Sequence, residues 1–163
     1  MTGSLQLANH TIKDPVDRIL FLIWQTSHAL GALMAEDLAG LGLTTSQFGV
    51  IVHVSREPGI SAAELSRRLN LTRQGVRSAL EPLYDRGLIV RKPHPVNLRV
   101  QGLYVTDRGD AIAADADMRI VAIEKRMLES FSDTDQTLFY SYLRRTTESV
   151  NPTALDRSSI RPR

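Results

Sequence analysis

The chain has 163 residues, 42% hydrophobic and 23% charged, and no cysteine. This composition suits a single soluble globular domain with short arms and excludes disulfides, thiol redox chemistry and thiolate zinc sites. No apolar run is long enough to cross a bilayer and no basic-then-apolar leader is visible, so a cytoplasmic protein is expected. The formal net charge of +2 is unevenly spread. Residues 1–60 carry three Lys/Arg against five Asp/Glu, residues 61–99 eight against three, and residues 100–163 nine against ten. The positive excess falls in one central stretch, as expected of a nucleic-acid-binding face.

Residues 1–13 are polar and unpatterned and read as a flexible arm. Asp14-Pro15 predicts a helix start, with Asp14 as N-cap, Pro15 in the first helical position and Asp17 in the first turn. The helix runs towards Gly40, with Val16, Ile19, Leu20, Ile23, Trp24, Leu30, Leu33, Met34 and Leu38 apolar, and Phe21 and Leu22 on other faces. A helix apolar nearly all round must be buried on more than one side, and a second subunit is the expected second side. Thr44 followed by Gln47 predicts a capping box. The next helix carries Phe48, Ile51, Val52 and Val54 and stops at Pro58-Gly59, after which Ile60 could add a short third strand.

Ser61 followed by Glu64 predicts another capping box, opening a short helix with Ala62, Leu65 and Leu69 on its apolar face. Asn70-Leu71 breaks the pattern, and Thr72 can cap a second helix. There Val76, Ala79, Leu80 and Leu83 recur at helical spacing and face inward. Arg73, Gln74, Arg77 and Ser78 then face outward near the helix start. Arg suits guanine edges and Gln suits adenine, and a helix of this size fits the major groove. Gly75 costs about 1 kcal/mol of helix propensity against Ala and would let the backbone come close to a phosphate. Ser61, Arg67, Arg68, Arg91 and Lys92 are further expected phosphate contacts. Pro82 predicts a kink or an early helix end, and Gly87 a helix stop.

Leu88–Lys92 and Val100–Val105 read as strands, with Gly102 as a possible bulge. The loop between them, Pro93 to Arg99, is stiff and basic at its shoulders, and could place Arg99 in a minor groove. Thr106 caps a long helix from Asp107 to about Ser130, bearing Ile112, Ala116, Ile120, Ile123, Met127 and Leu128. Ser132 with Asp135 starts a last helix with Leu138, Phe139, Tyr142 and Leu143, ended by Asn151-Pro152. Residues 151–163 read as a tail, either disordered or a weak arm. The expected fold class is mainly α with a small β-wing (α+β): a winged helix-turn-helix over residues 44–105. A helical dimerisation lobe comes from residues 14–43 and 106–150.

The order of elements resembles the MarR (multiple antibiotic resistance regulator) family of transcription factors. The resemblance rests chiefly on Leu83-Tyr84-Asp85-Arg86-Gly87-Leu88-Ile89-Val90-Arg91, on Asn97-Leu98-Arg99, and on Val105-Thr106-Asp107-Arg108-Gly109. It implies a homodimer that reads a pseudo-palindromic operator on double-stranded DNA and releases it when a small aromatic or anionic ligand binds. The family's wing carries Asp where this chain has Asn97, which can accept a hydrogen bond but lacks the charge to orient Arg99.

Trp24 and His28 lie one turn apart on the first helix, and His53 lies on the second. They could line a cleft for an aromatic acid. The alternative places Trp24 in a dimer core with the histidines as ordinary satisfied polar groups. No third ligand can be named for a metal at His28 and His53, and no cofactor motif or catalytic spacing is present, so neither metal, cofactor nor enzymatic activity is expected. A winged helix that binds protein instead of DNA is the competing reading, supported only by Pro82 and Asn97.

Overall fold

The computed structural model describes residues 14–93 and 101–155. Asp14 Oδ1 accepts the Val16 amide at 3.1 Å, but the α-helix starts later than the expected Pro15. The first turn, Pro15–Asp17, is a 3-10 turn, and helix α1 proper spans Ile19–Ala39. Helix α2 covers Thr45–Arg56, with the Thr44–Gln47 capping box complete in both directions. Helices α3 (Ala62–Arg68) and α4 (Arg73–Asp85) follow, then strands β1 (Ile89–Pro93) and β2 (Gln101–Val105). Helices α5 (Asp107–Leu128) and α6 (Asp133–Val150) complete the order, each capped by the predicted residue, Thr106 and Ser132.

The chain divides into two units, Met1–Ala32 and Leu33–Arg163, with the division inside α1. In the first, Ile19, Leu20, Ile23 and Trp24 are exposed. The second holds the core. Leu38, Val50, Ile51, Val54, Leu65, Val76, Leu80, Leu83, Leu88, Ile89 and Leu103 are buried together. Each such aliphatic side chain contributes about 1.5–3 kcal/mol on burial. Helix α6 buries no residue fully, and leaves Leu138, Tyr140, Tyr142 and Leu143 exposed. No helix among the described residues is long and apolar enough to cross a membrane.

Strands β1 and β2 pair antiparallel, Ile89 opposite Val105 and Pro93 opposite Gln101. Gly102 is not at a bulge: it pairs regularly with Lys92. Its missing side chain serves a close backbone approach, since a Cβ there would stand 2.8 Å from the Gly59 Cα. That approach lets the Gly59 amide donate to the Leu103 carbonyl at 2.7 Å and the Leu103 amide to the Ile60 carbonyl at 3.1 Å. Ile60 therefore lies beside β2 without forming a strand of its own. At the other end of β2, a Cβ on Gly109 would come within 2.1 Å of the Leu88 carbonyl oxygen. Only glycine lets the start of α5 sit against the start of the wing.

Two more expectations change. Helix α4 does not end early at Pro82 but runs to Asp85. Pro82 lies in its last turn, where the buried Leu83 anchors the helix and the Arg86 amide still donates to the Pro82 carbonyl at 3.1 Å. The tail begins with structure: Pro152–Leu155 forms a 3-10 turn. The Thr153 hydroxyl donates to the Arg67 carbonyl at the end of α3, at 3.3 Å.

Candidate nucleic-acid interface

Helix α3, the turn and α4 are fixed to each other by short-range chemistry. The Ser61 hydroxyl accepts the Glu64 amide at 3.2 Å, which starts α3. The return half of the predicted box is replaced, because the Glu64 carboxylate pairs with Arg67 and Arg68. Asn70 turns the chain at φ 50°, a left-handed value that Asn tolerates better than most residues. The Leu71 amide reaches back to the Ser66 carbonyl at 3.1 Å, and the Ser66 hydroxyl donates to the Leu71 carbonyl at 2.6 Å. Thr72 then caps α4, accepting the Gly75 amide at 2.9 Å.

Val76, Ala79, Leu80 and Leu83 are all buried, so the opposite face of α4 is fixed outward. Thr72, Arg73, Gln74, Arg77 and Ser78 are all exposed on it. Three of these side chains make contacts within the helix. The Arg77 Nε donates to the Glu81 carboxylate at 2.7 Å, and the Gln74 amide nitrogen lies 3.5 Å from the Ser78 hydroxyl. Glu81 therefore holds Arg77 along the helix surface, a partner legible from i,i+4 spacing. Gly75 is partly buried, and a Cβ there would meet Thr72 Oγ1 at 3.3 Å and the Leu71 Cβ at 3.7 Å. Its small size thus also serves the turn behind it.

The expected phosphate contacts separate into two groups. Ser61 is half-buried, and Arg67, Arg91 and Lys92 are exposed. Arg68 departs from the expectation. Its side chain is 6% exposed and bridges two acids, Glu57 at 2.7 Å and Glu64 at 3.0 Å. It lies on the inward side of α3, where its charge joins that helix to the end of α2. Burial raises the Glu64 carboxyl pKa, but hydrogen bonds from Arg68 and Arg67 outweigh it and hold the value below that of an ordinary Glu.

On the wing, the Arg91 guanidinium lies 4.6 Å from the Tyr84 ring centroid, and its Nε donates to the Tyr84 hydroxyl at 2.7 Å. Lys92 lies over Tyr104, 5.5 Å from the ring centroid. Both aromatic supports escaped the sequence reading, because β1 returns past the end of α4 only in three dimensions. Asn97 and Arg99 lie outside the described residues.

The proposed ligand residues are placed as follows. The Trp24 and His28 rings stack at 5.5 Å and 27° on α1, with Phe21 beside Trp24 at 6.2 Å. Trp24 is 58% exposed. His53, in the second unit, has its Nδ1 2.8 Å from the Gly49 carbonyl oxygen, one turn earlier on α2. Among the described residues no group of three His, Asp or Glu side chains could hold a metal ion.

A helix-turn-helix with an outward polar face, followed by an antiparallel wing with basic side chains at its base, defines a winged helix-turn-helix protein. The sequence model of the MarR family matches residues 41–99, which span α2 to the wing. The HTH-type transcriptional repressor Rv2887 of Mycobacterium tuberculosis is 29% identical over 109 residues, covering 63% of this chain and 78% of that repressor. The crystal structure of Rv2887 in complex with DNA superposes with a TM-score of 0.68 at 28% identity, covering 79% of this chain and 97% of that one. CouR from Rhodococcus jostii, bound to p-coumaroyl-CoA, shares the fold with a TM-score of 0.76 at 23% identity, covering 85% and 95% of the two chains. Over residues 41–99 the chain thus resembles the MarR family.

Proposed function

We propose that this chain is a dimeric, sequence-specific DNA-binding transcriptional regulator, a repressor released from its operator by a small aromatic or anionic ligand. The observation that carries the reading is the outward face of α4. Thr72, Arg73, Gln74, Arg77 and Ser78 are exposed together on a helix whose opposite face is locked in the core. Arg73, Gln74 and Arg77 are the base-reading candidates, while Ser61, Arg67, Arg91, Lys92 and the Gly75 backbone address phosphates. Arg99 is proposed for the minor groove. The related Rv2887 is a repressor with a structure in complex with DNA, which supports the same role here. Binding, not turnover, is the proposed chemistry, in the cytoplasm where the DNA is.

Dimerisation is supported by the apolar side chains each unit leaves uncovered: Ile19, Leu20, Ile23 and Trp24 in one, Leu138, Tyr142 and Leu143 in the other. Contiguous apolar surface of this kind marks association sites. An aromatic carboxylate is the proposed ligand, with the stacked Trp24 and His28 as its platform. Rv2887 has been crystallised with salicylic acid and with p-aminosalicylic acid. Trp24 is the only tryptophan in the chain, so its fluorescence reports on that site directly.

Selection from randomised DNA duplexes tests the DNA reading. An enriched inverted repeat with half-sites about 10 bp apart is expected. No enrichment from a folded dimer would overturn sequence-specific binding. Salicylate is then titrated against the selected duplex. Release together with Trp24 quenching is expected, and release without quenching would move the ligand away from Trp24.

A further inference from the structure

The end of α4 and the start of the wing are joined by a turn with little freedom. Gly87 takes φ 65°, its amide donates to the Tyr84 carbonyl at 2.9 Å, and the Leu88 amide donates to the Leu83 carbonyl at 2.9 Å. Leu83, Leu88 and Ile89 are buried, so both sides of this turn are anchored in the core. Arg91 stands on the same face of β1 as Ile89, two residues further out, and is exposed. There its guanidinium lies over the half-buried Tyr84 ring, 4.6 Å from the centroid, and its Nε donates to the Tyr84 hydroxyl at 2.7 Å. The partner is of a different kind from those of Arg67, Arg68 and Arg77, each of which meets a carboxylate. Among the described residues no carboxylate forms an ion pair with Arg91. A neutral ring holds the side chain without cancelling its charge, and the Nε bond uses one of five guanidinium donors.

We propose that Tyr84 is a positioning residue for DNA binding: it holds the Arg91 guanidinium, still fully charged, ready for a backbone phosphate at the base of the wing. The proposal rests on the DNA-binding reading above. Arginine favours phosphate through the paired donors of its fork, and a fork held in place is already oriented for that pairing. Immobilising a long side chain on binding costs affinity, and a side chain that is held beforehand avoids that cost. Tyr84 itself touches no DNA and acts through Arg91. Because Tyr84 belongs to α4, the same contact ties the phosphate-binding base of the wing to the helix that presents Arg73, Gln74 and Arg77. Arg91 then fixes where α4 sits along the duplex and adds affinity without adding sequence information.

The test uses the full chain and a random-sequence duplex of about three helical turns, with binding measured across a range of salt concentrations for Tyr84→Leu, Arg91→Gln and the double variant. Arg91→Gln is expected to weaken binding and to shrink the slope of log affinity against log salt by about 0.9 for each phosphate no longer neutralised. Tyr84→Leu keeps every charge and is expected to weaken binding about twofold to tenfold. In the Arg91→Gln background the same change should cost nothing further, which a merely structural role for Tyr84 would not produce. Equal losses in both backgrounds, or no loss in either, overturn the positioning role. Tyr84→Phe keeps the ring and removes the hydroxyl, so a smaller loss is expected, again only where Arg91 is present, and this variant decides the matter if the Leu chain does not fold. An Arg91→Gln variant with parental affinity and slope also overturns the proposal and leaves the DNA-binding reading intact. If the unmodified chain binds no duplex at all, that reading fails together with the proposal, an outcome distinct from a normal parent and an indifferent variant.

Discussion

Arg68 is the residue whose role the structure most changes, and replacing it with Met tests that change. A phosphate contact at this position would be exposed, and removing it would lower salt-dependent DNA affinity. Instead Arg68 bridges Glu57 at 2.7 Å and Glu64 at 3.0 Å with its own side chain only 6% exposed. Removing one partner of a buried ion pair costs about 3–5 kcal/mol, because the remaining charge is left uncompensated. Here the acids keep 16% and 23% side-chain exposure, so water can reach them in part and the lower end, about 3 kcal/mol, applies. For a chain of this length that corresponds to a fall in Tm of about 6–12 °C. Denaturant unfolding at fixed protomer concentration measures it, and the fixed concentration holds constant any contribution from the proposed dimerisation. Adding Glu57→Gln to the Met variant should recover part of the stability, since one of the two carboxylates that Arg68 bridged is then gone, whereas Glu64 keeps Arg67. A stability change below about 1 kcal/mol, accompanied by a smaller salt slope on DNA, would refute the structural role and return Arg68 to the phosphate contacts.

Gly109→Ala should destabilise the fold by about 1–3 kcal/mol despite Ala's better helix propensity, because its Cβ would meet a backbone carbonyl at 2.1 Å that cannot rotate away. A gain in Tm would show that α5 can shift. Glu81→Gln should tighten operator binding by releasing Arg77, whereas Arg77→Ala should weaken it by about tenfold or more at the preferred sequence. Competition binding reads both, and an indifferent Glu81 variant would mean the pair does not hold Arg77 back. Stability should also fall in acid. Glu64 has its folded pKa below the unfolded value, so its contribution is present above the ordinary Glu pKa and is lost as pH falls through the depressed one. Glu64→Gln should flatten that limb of the stability-pH curve, and an unchanged limb would place the acid sensitivity elsewhere.

Local chemistry determined much of this protein. The caps Thr44, Ser61, Thr72, Thr106 and Ser132 each accept the amide three residues on, as their spacing predicts, because a cap needs only neighbours in the chain. The inward face of α4 was legible for the same reason, and its outward face followed from it. Tertiary structure decided what depends on residues far apart in the chain. Arg67 and Arg68 are adjacent and alike in sequence, yet one is exposed and the other meets Glu57 across a helix pair. Gly102 is explained by Gly59, and Gly109 by the Leu88 carbonyl, neither of which any local pattern can contain. Tyr84 supports Arg91, and Thr153 reaches Arg67, only because β1 and the end of α6 fold back onto earlier helices. Periodicity assigns a residue to a face, whereas what stands opposite that face depends on how distant segments pack together.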